Sequence, residues 1–407
     1  MKKYIAAVCF FFLTLLLGAM AAQSDGDVLD YTYYLQRHDA SAGDAERMES
    51  LCRQAAELCQ ALLLGGDREA SPYAPYDTTL TQSAVDSIEA LLAAEGLPVV
   101  DSDREYPSCL ANADGAADFF QAAENKETAR QDVIYVSRYG MLDIYTLCCE
   151  DGRRFCVRGA VRLDDAGGIV IEKPREYPVL DWGLTYNGYL YFQLQPLNNH
   201  SEAYSSVRIY PADPALYDLG AKYIYPVGYA GNNLFLLDWD SSRYGYMCFN
   251  DLLEPLYRLR YDRPLDTSAL AFDEDLPGFG VPADEFESVI LPFFDISPED
   301  LKAAALYDGG SDAYPWQKMN SANLSFFPPV TPDVTDCRHN DDGTVTVTVD
   351  VLCFDLQAFP LFTHEVTVRP HDDGSFQYLA NTVTYKSGLG FPNTAPRLPA
   401  LRPSDMP

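Results

Sequence analysis

Apolar positions recur every three or four residues between Gly43 and about Leu64, where Leu51, Ala55, Leu58, Cys59 and Leu62 share one side of a helix that stops at Gly65-Gly66. The same period returns from Thr81 to Ala94, with Thr81 or Ser83 placed to cap the start and Gly96 to close the end. Both helices are expected to pack an apolar face against the rest of the chain.

From Asp132 to about Tyr261 the period changes to two. Alternating runs at 132–137, 142–149, 154–163, 168–173, 183–186, 189–194, 206–210, 222–225, 234–239 and 244–249 are punctuated by turn residues and predict antiparallel strands. Asp151-Gly152 and Asn187-Gly188 are two-residue hairpin signals. A Pro-, Gly- and acid-rich stretch over 263–283 reads as a linker. Beyond it a helix is predicted from Asp284 to about Phe294, and Ser297-Pro298-Glu299-Asp300 opens another with an N-cap serine, proline at the first helical position and acid in the first turn. Strands follow at 344–351, 361–369 and 375–385.

The fold class expected is α+β: N-terminal helices over 22–131, a central antiparallel β-rich domain over 132–262 (sandwich, barrel or propeller-like meander), and a helix-then-sheet α+β domain over 284–386. A proline-rich tail occupies 387–407. Ahead of all this stand Lys2 and Lys3, an apolar run from Tyr4 to Leu17, and Ala19-Met20-Ala21, the pattern of a signal peptide over 1–21 cleaved after Ala21. The alternative is an uncleaved anchor, since Tyr4 to Ala22 just spans a hydrocarbon core of ~30 Å. Either way the location expected is extracytoplasmic, secreted or associated with the cell envelope.

Charge narrows the partners. With 29 Lys and Arg against 60 Asp and Glu the net charge is −31, and the acid is scattered instead of forming a tail. Such a surface repels phosphate backbones and anionic headgroups, so nucleic acid is excluded and a membrane enters only through the N-terminal segment. A protein or glycan partner remains. Removal of residues 1–21 takes Cys9 and leaves nine of ten cysteines, an odd number that forbids complete internal pairing.

The densest sulfur lies in YTLCCEDGRRFCVRGAVRL, residues 145–163. With Asp151 and Gly152 as the turn, Glu150 faces Arg153, Cys149 faces Arg154, Cys148 faces Phe155 and Leu147 faces Cys156. Cys148 then joins Leu142, Ile144, Phe155, Val157 and Val161 on a core face, while Cys149 and Cys156 lie diagonally on a mostly polar one with Asp143, Tyr145, Arg154, Arg158 and Arg162. A disulfide between them is not expected, because diagonal positions hold their Cα atoms ~7 to 8 Å apart and pointing the same way; nor is a zinc site, because only two thiols converge and no Cys-x2-Cys or His-x3-His pair completes four ligands.

No nucleophile elbow, metalloprotease helix, phosphate loop or dinucleotide fingerprint occurs in the chain, so no catalytic residue, cofactor or metal ligand is assigned. Asp238 and Asp240 begin a calcium-like string that lacks the glycine and glutamate such a loop needs. His339, His364 and His371 match no ligand spacing. The aromatic wealth of 28 Tyr, 21 Phe and 3 Trp is better placed. In DWGLTYNGYLYFQL, Trp182, Tyr186, Tyr189 and Tyr191 surround an Asn-Gly turn, and tyrosines beside carboxylates suit a glycan or partner contact. Cross-strand packing is the competing reading.

The strings LLAAEGLPVVDSD, DWGLTYNGYLYF, DEFESVILPFFDISPEDLKAAALYD and THEVTVRPHDDGSFQYLAN resemble those of an uncharacterised family of exported proteins from Gram-positive anaerobic bacteria, a domain of unknown function. That resemblance implies no activity, cofactor or catalytic residue. The function expected is that of a non-enzymatic envelope or secreted binding protein. The alternative is an extracellular hydrolase acting on carbohydrate through a carboxylate pair that the sequence does not reveal.

Overall fold

The computed structural model describes residues 38–71, 78–103, 108–164, 168–195, 204–268, 270–273, 278–318, 329–391 and 396–398. Residues 1–21, read as a signal peptide, and most of the tail lie outside them. Among the described residues no helix is long and apolar enough to cross a membrane. The described elements belong to the compact unit that begins at Asp39.

The first helix, α1 (Ala42–Gly65), begins where Ser41 Oγ accepts from the Asp44 amide and ends where the Gly66 amide reaches Leu62 O at 2.8 Å. Helix α2 (Gln82–Ala94) is capped by Thr81, one of the two residues expected there. Both lie on one face of a nearly closed, barrel-like sheet. Its strands are β1 (Val99–Asp101), β2 (Ala129–Ser137), β3 (Met141–Glu150), β4 (Arg153–Leu163), β5 (Ile169–Ile171), β6 (Arg175–Leu184), β7 (Tyr189–Leu194) and β8 (Ser205–Arg208). The order across the sheet is β8-β7-β6-β4-β3-β2-β1, with β5 on the far half of β4.

Closure comes from a short segment. The Leu110 amide donates to Arg208 O at 2.7 Å and the Ala111 amide to Val99 O at 2.9 Å, so residues 109–111 join the edge strands β8 and β1. Helix α3 (Ala116–Glu124) follows at once and packs Phe119 and Ala123 into the barrel's inner core with Leu147, Cys149, Cys156, Trp182 and Phe192. The outer core lies between the sheet and α1, where Met48 and Cys52 meet Ile144, Phe155 and Val157. Contact there is so close that a Cβ on Gly159 would come within 2.7 Å of Cys52 Sγ and 2.8 Å of Met48.

Strands expected at 222–225, 234–239 and 244–249 do not form. Residues 222–225 finish helix α4 (Pro214–Tyr223), the next stretch is a series of turns with only a two-residue strand β9 (Trp239–Asp240), and helix α5 (Phe249–Tyr261) begins at the third. The reason is visible in α5, whose buried Phe249, Leu252, Leu253 and Leu256 have helical spacing. These segments share the core of the C-terminal sheet, which begins at Tyr223. The stretch read as a linker also pairs: β10 (Ala271–Asp273) and β11 (Gly278–Pro282) form a small sheet with a later strand, Ala313–Trp316.

The C-terminal region has the expected order. Helix α6 (Ala283–Ile290) and helix α7 (Pro298–Ala304), capped by Ser297, precede β12 (Ala313–Trp316) and four long strands. These are β13 (Thr331–His339), β14 (Val345–Cys353), β15 (Ala358–Pro370) and β16 (Phe376–Lys386), ordered β9-β16-β15-β14-β13 and antiparallel throughout. Val347, Val349, Val366 and Tyr378 meet Leu252, Phe286 and Ile290 in one core. The α+β class is confirmed.

Candidate functional site

The hairpin of β3 and β4 has the expected register: Glu150 pairs with Arg153, Cys149 with Arg154, Cys148 with Phe155 and Leu147 with Cys156. Asp151 and Gly152 both have positive φ, 51° and 79°, as a two-residue turn of this hand requires. The face read as mostly polar is the inside of the barrel, however. Cys149 and Cys156 are both fully buried there, because closure of the sheet covers that face as α1 covers the other. Burial pushes the Cys148 thiol up to about 12 and raises Cys149 and Cys156 as well. All nine cysteines among the described residues are free.

The four aromatics singled out around Asn187-Gly188 do not form one exposed platform. Trp182 is buried against Phe119 and donates to Glu124 at 3.3 Å; Tyr189 packs on Phe354, and Tyr191 on Tyr204, Phe354 and Phe359. Tyr186 alone is open, with 66% of its surface exposed. The turn instead seats on the C-terminal sheet. Asn187 Nδ2 donates to Asp333 Oδ2 at 2.7 Å, Tyr186 donates to Asp350 Oδ2, and Arg208 pairs with Asp333 Oδ1. Thr363 Oγ1 donates to Asp350 Oδ1 at 2.7 Å. Nearby, Asp181 accepts from Tyr204 at 3.0 Å and from Gln357 at 2.5 Å. The tyrosines and carboxylates of this seam hold the barrel hairpin to the sheet.

The histidines are apart. His364 is fully buried, its Nδ1 2.7 Å from Asn381 Oδ1 and its Nε2 2.7 Å from the Tyr229 hydroxyl, while His339 and His371 lie at exposed strand ends. Asp240 caps its own turn, accepting from the Ser242 amide and hydroxyl, and Asp238 accepts from the Val383 amide.

A different place has the shape of a site. Strand β4 pairs with β6 over Phe155 to Arg158 and then with β5 from Val161. At this fork opens a cavity of about 410 Å³ walled by Arg158, Arg162, Glu172, Lys173, Arg175 and Tyr177. Arg158 and Arg175 are direct cross-strand partners and share a face, which they also share with Arg162 four residues along β4. Asp143 holds Arg158 at 2.8 Å and the Tyr145 ring lies 5.3 Å beneath it. Burial opposes the Arg158 charge, but Tyr145 and Asp143 outweigh it and leave its pKa above the ordinary value. Glu172 holds Arg162 at 2.5 Å and Asp39 holds Lys173 at 2.9 Å. On the same inner face Tyr135 buries a hydroxyl with no hydrogen-bond partner among the described residues. Sequence reading passed over this cluster as the polar side of a hairpin; the signal was the density of cations between Arg153 and Arg175 in so acidic a chain.

A family model described as a family of unknown function, DUF6070, matches residues 45–397. The chain belongs to that family. The match runs from α1 through the barrel and the C-terminal sheet, and so includes both the seam and the fork cavity of this DUF6070 chain. No curated protein matches it, and no solved structure does.

Proposed function

We propose that this DUF6070 protein is exported and works outside the cytoplasm as a non-enzymatic binding protein for a glycan or protein partner. The pattern of Lys2, Lys3, the Tyr4 to Leu17 run and Ala19-x-Ala21 supports export. The observation that carries binding is the fork cavity, a concave polar site whose cations are held in place by Asp143, Glu172 and Asp39 before any ligand arrives. Preorganised donors of this kind suit recognition. One directly opposed carboxylate pair, Asp333 and Asp350, has all four oxygens engaged by Arg208, Asn187, Thr363 and Tyr186, which leaves it occupied with structure.

The test combines location with a functional screen. Mass spectrometry of the native protein should find its N-terminus at Ala22 or Gln23. A glycan array should return bound species, while the same glycans incubated with the protein should release no reducing ends. Catalytic release abolished by Asp333→Asn or Asp350→Asn would replace binding with hydrolysis.

A further inference from the structure

Resting on the binding reading, we propose that the fork cavity takes an oxyanion, a carboxylate or phosphate group carried by the ligand, gripped between Arg158 and Arg175. The two arginines stand opposite each other on β4 and β6, and like charges in that relationship repel. A chain with twice as many acids as bases had ample means to avoid such a pair, yet it adds Arg162 and Lys173 to the same wall. An anion set between the arginines turns the repulsion into attraction.

The cations also keep donors in reserve. Arg158 gives one N–H to Asp143, and a guanidinium has five, so donors remain. Arg175 makes no ion pair of its own among the described residues, because Asp39, the carboxylate that feels it, is bonded to Lys173. The planar guanidinium fork matches a carboxylate or phosphate in two parallel hydrogen bonds. A cavity of about 410 Å³ also has room for the sugar or organic residue that bears the charged group.

Titration calorimetry on the whole protein tests this with three probes: citrate for the carboxylate source, inorganic phosphate for the other, and neutral maltotriose. Saturable binding of citrate, phosphate or both is expected, weakening at least tenfold in Arg175→Ala and falling as salt is raised. The relative affinities of the two anions tell which source the site prefers. Arg175 lies at the surface, so its variants keep the fold where Arg158→Ala threatens the barrel; Arg53→Ala, on α1, serves as the control and should bind as the wild type does. Anion binding that is unchanged in Arg175→Ala, or maltotriose bound as tightly as either anion, overturns the oxyanion assignment and leaves the binding-protein reading standing. Turnover of a bound glycan overturns the latter and leaves the former.

Discussion

Asp333 and Asp350 stand directly opposite each other on β13 and β14, both buried, and between them grip the turn that carries Tyr186 and Asn187. Two carboxylates in this relationship repel across roughly 5 Å. The pair persists because every oxygen has a donor and Arg208, itself largely buried, brings a full positive charge to the seam. Burial works against the Arg208 charge, but Tyr189 and Asp333 raise its pKa overall.

Arg208→Ala should therefore cost about 3 kcal/mol of stability, the scale of a buried ion pair broken on one side. Asp333→Asn in the same background should recover part of that loss, because an amide needs no counter-charge. Urea unfolding of the two variants checks it, and equal stabilities would show that the charge at Asp333 is not what Arg208 compensates.

Burial draws His364 down to about 4, against the raising effect of its hydrogen bond with Asn381. The tautomer that satisfies both neighbours has a proton on Nδ1 for Asn381 and a lone pair on Nε2 for the Tyr229 hydroxyl. Between about 6.5 and 4 the unfolded chain takes a proton that the folded chain refuses. Stability is thus complete above the unfolded value and is lost as pH falls through this window, by up to about 3 kcal/mol. Unfolding free energies measured from pH 7 to 4 should fall more steeply for the wild type than for His364→Gln; matching slopes would count against the assignment.

The local elements were legible because their signals are local. Thr81 and Ser297 cap the helices they were expected to cap, and Asp151-Gly152 alone sets the register of β3 and β4. Closure of the barrel was not legible, since it depends on Leu110 and Ala111 meeting strands near Arg208 and Val99, one of them about a hundred residues away. That closure is why Cys149 and Cys156, on a hairpin face polar by composition, are buried. Helix α5 was hidden by Pro255 within it and by a strand-like aromatic run before it. The Asp333–Asp350 pair and the Arg158–Arg175 pair both arise from register between strands, which no single stretch of sequence displays.

The cysteines of the hairpin give a prediction that burial on both faces alters. Replacing Cys148 with glutamine should cost a few kcal/mol, as a larger polar group forced beneath α1. Cys149→Ser and Cys156→Ser, which a polar face would have tolerated silently, should each cost about 1 to 2 kcal/mol because the hydroxyl enters the inner core of the barrel. Folded protein should leave all three thiols unreactive toward an aromatic disulfide reagent until it unfolds, since burial disfavours their thiolates. Fast labelling of any of them under native conditions would contradict this placement.

The tail supplies the last test. Residues 387–407 read as a proline-rich appendage, yet Arg397 and Leu398 are buried. The Arg397 guanidinium donates to Gly231 O at 3.0 Å, Gln317 O at 2.9 Å, Asp251 O at 2.7 Å and Glu254 Oε2 at 3.1 Å, and its amide donates to Asp251 Oδ2 at 3.1 Å. Three separate stretches of the C-terminal region are tied through one side chain, and the family match ends at this residue. Arg397→Ala removes the side-chain donors to the carbonyls of Gly231, Asp251 and Gln317 and the cation 3.7 Å from Asp251, and should cost about 3 kcal/mol. Arg397→Lys keeps the charge but cannot span four acceptors, so it should recover less than half of the loss. A chain ending at Pro396 should be no more stable than Arg397→Ala in thermal unfolding. Wild-type stability in that truncated chain would mean the tail is not part of the fold.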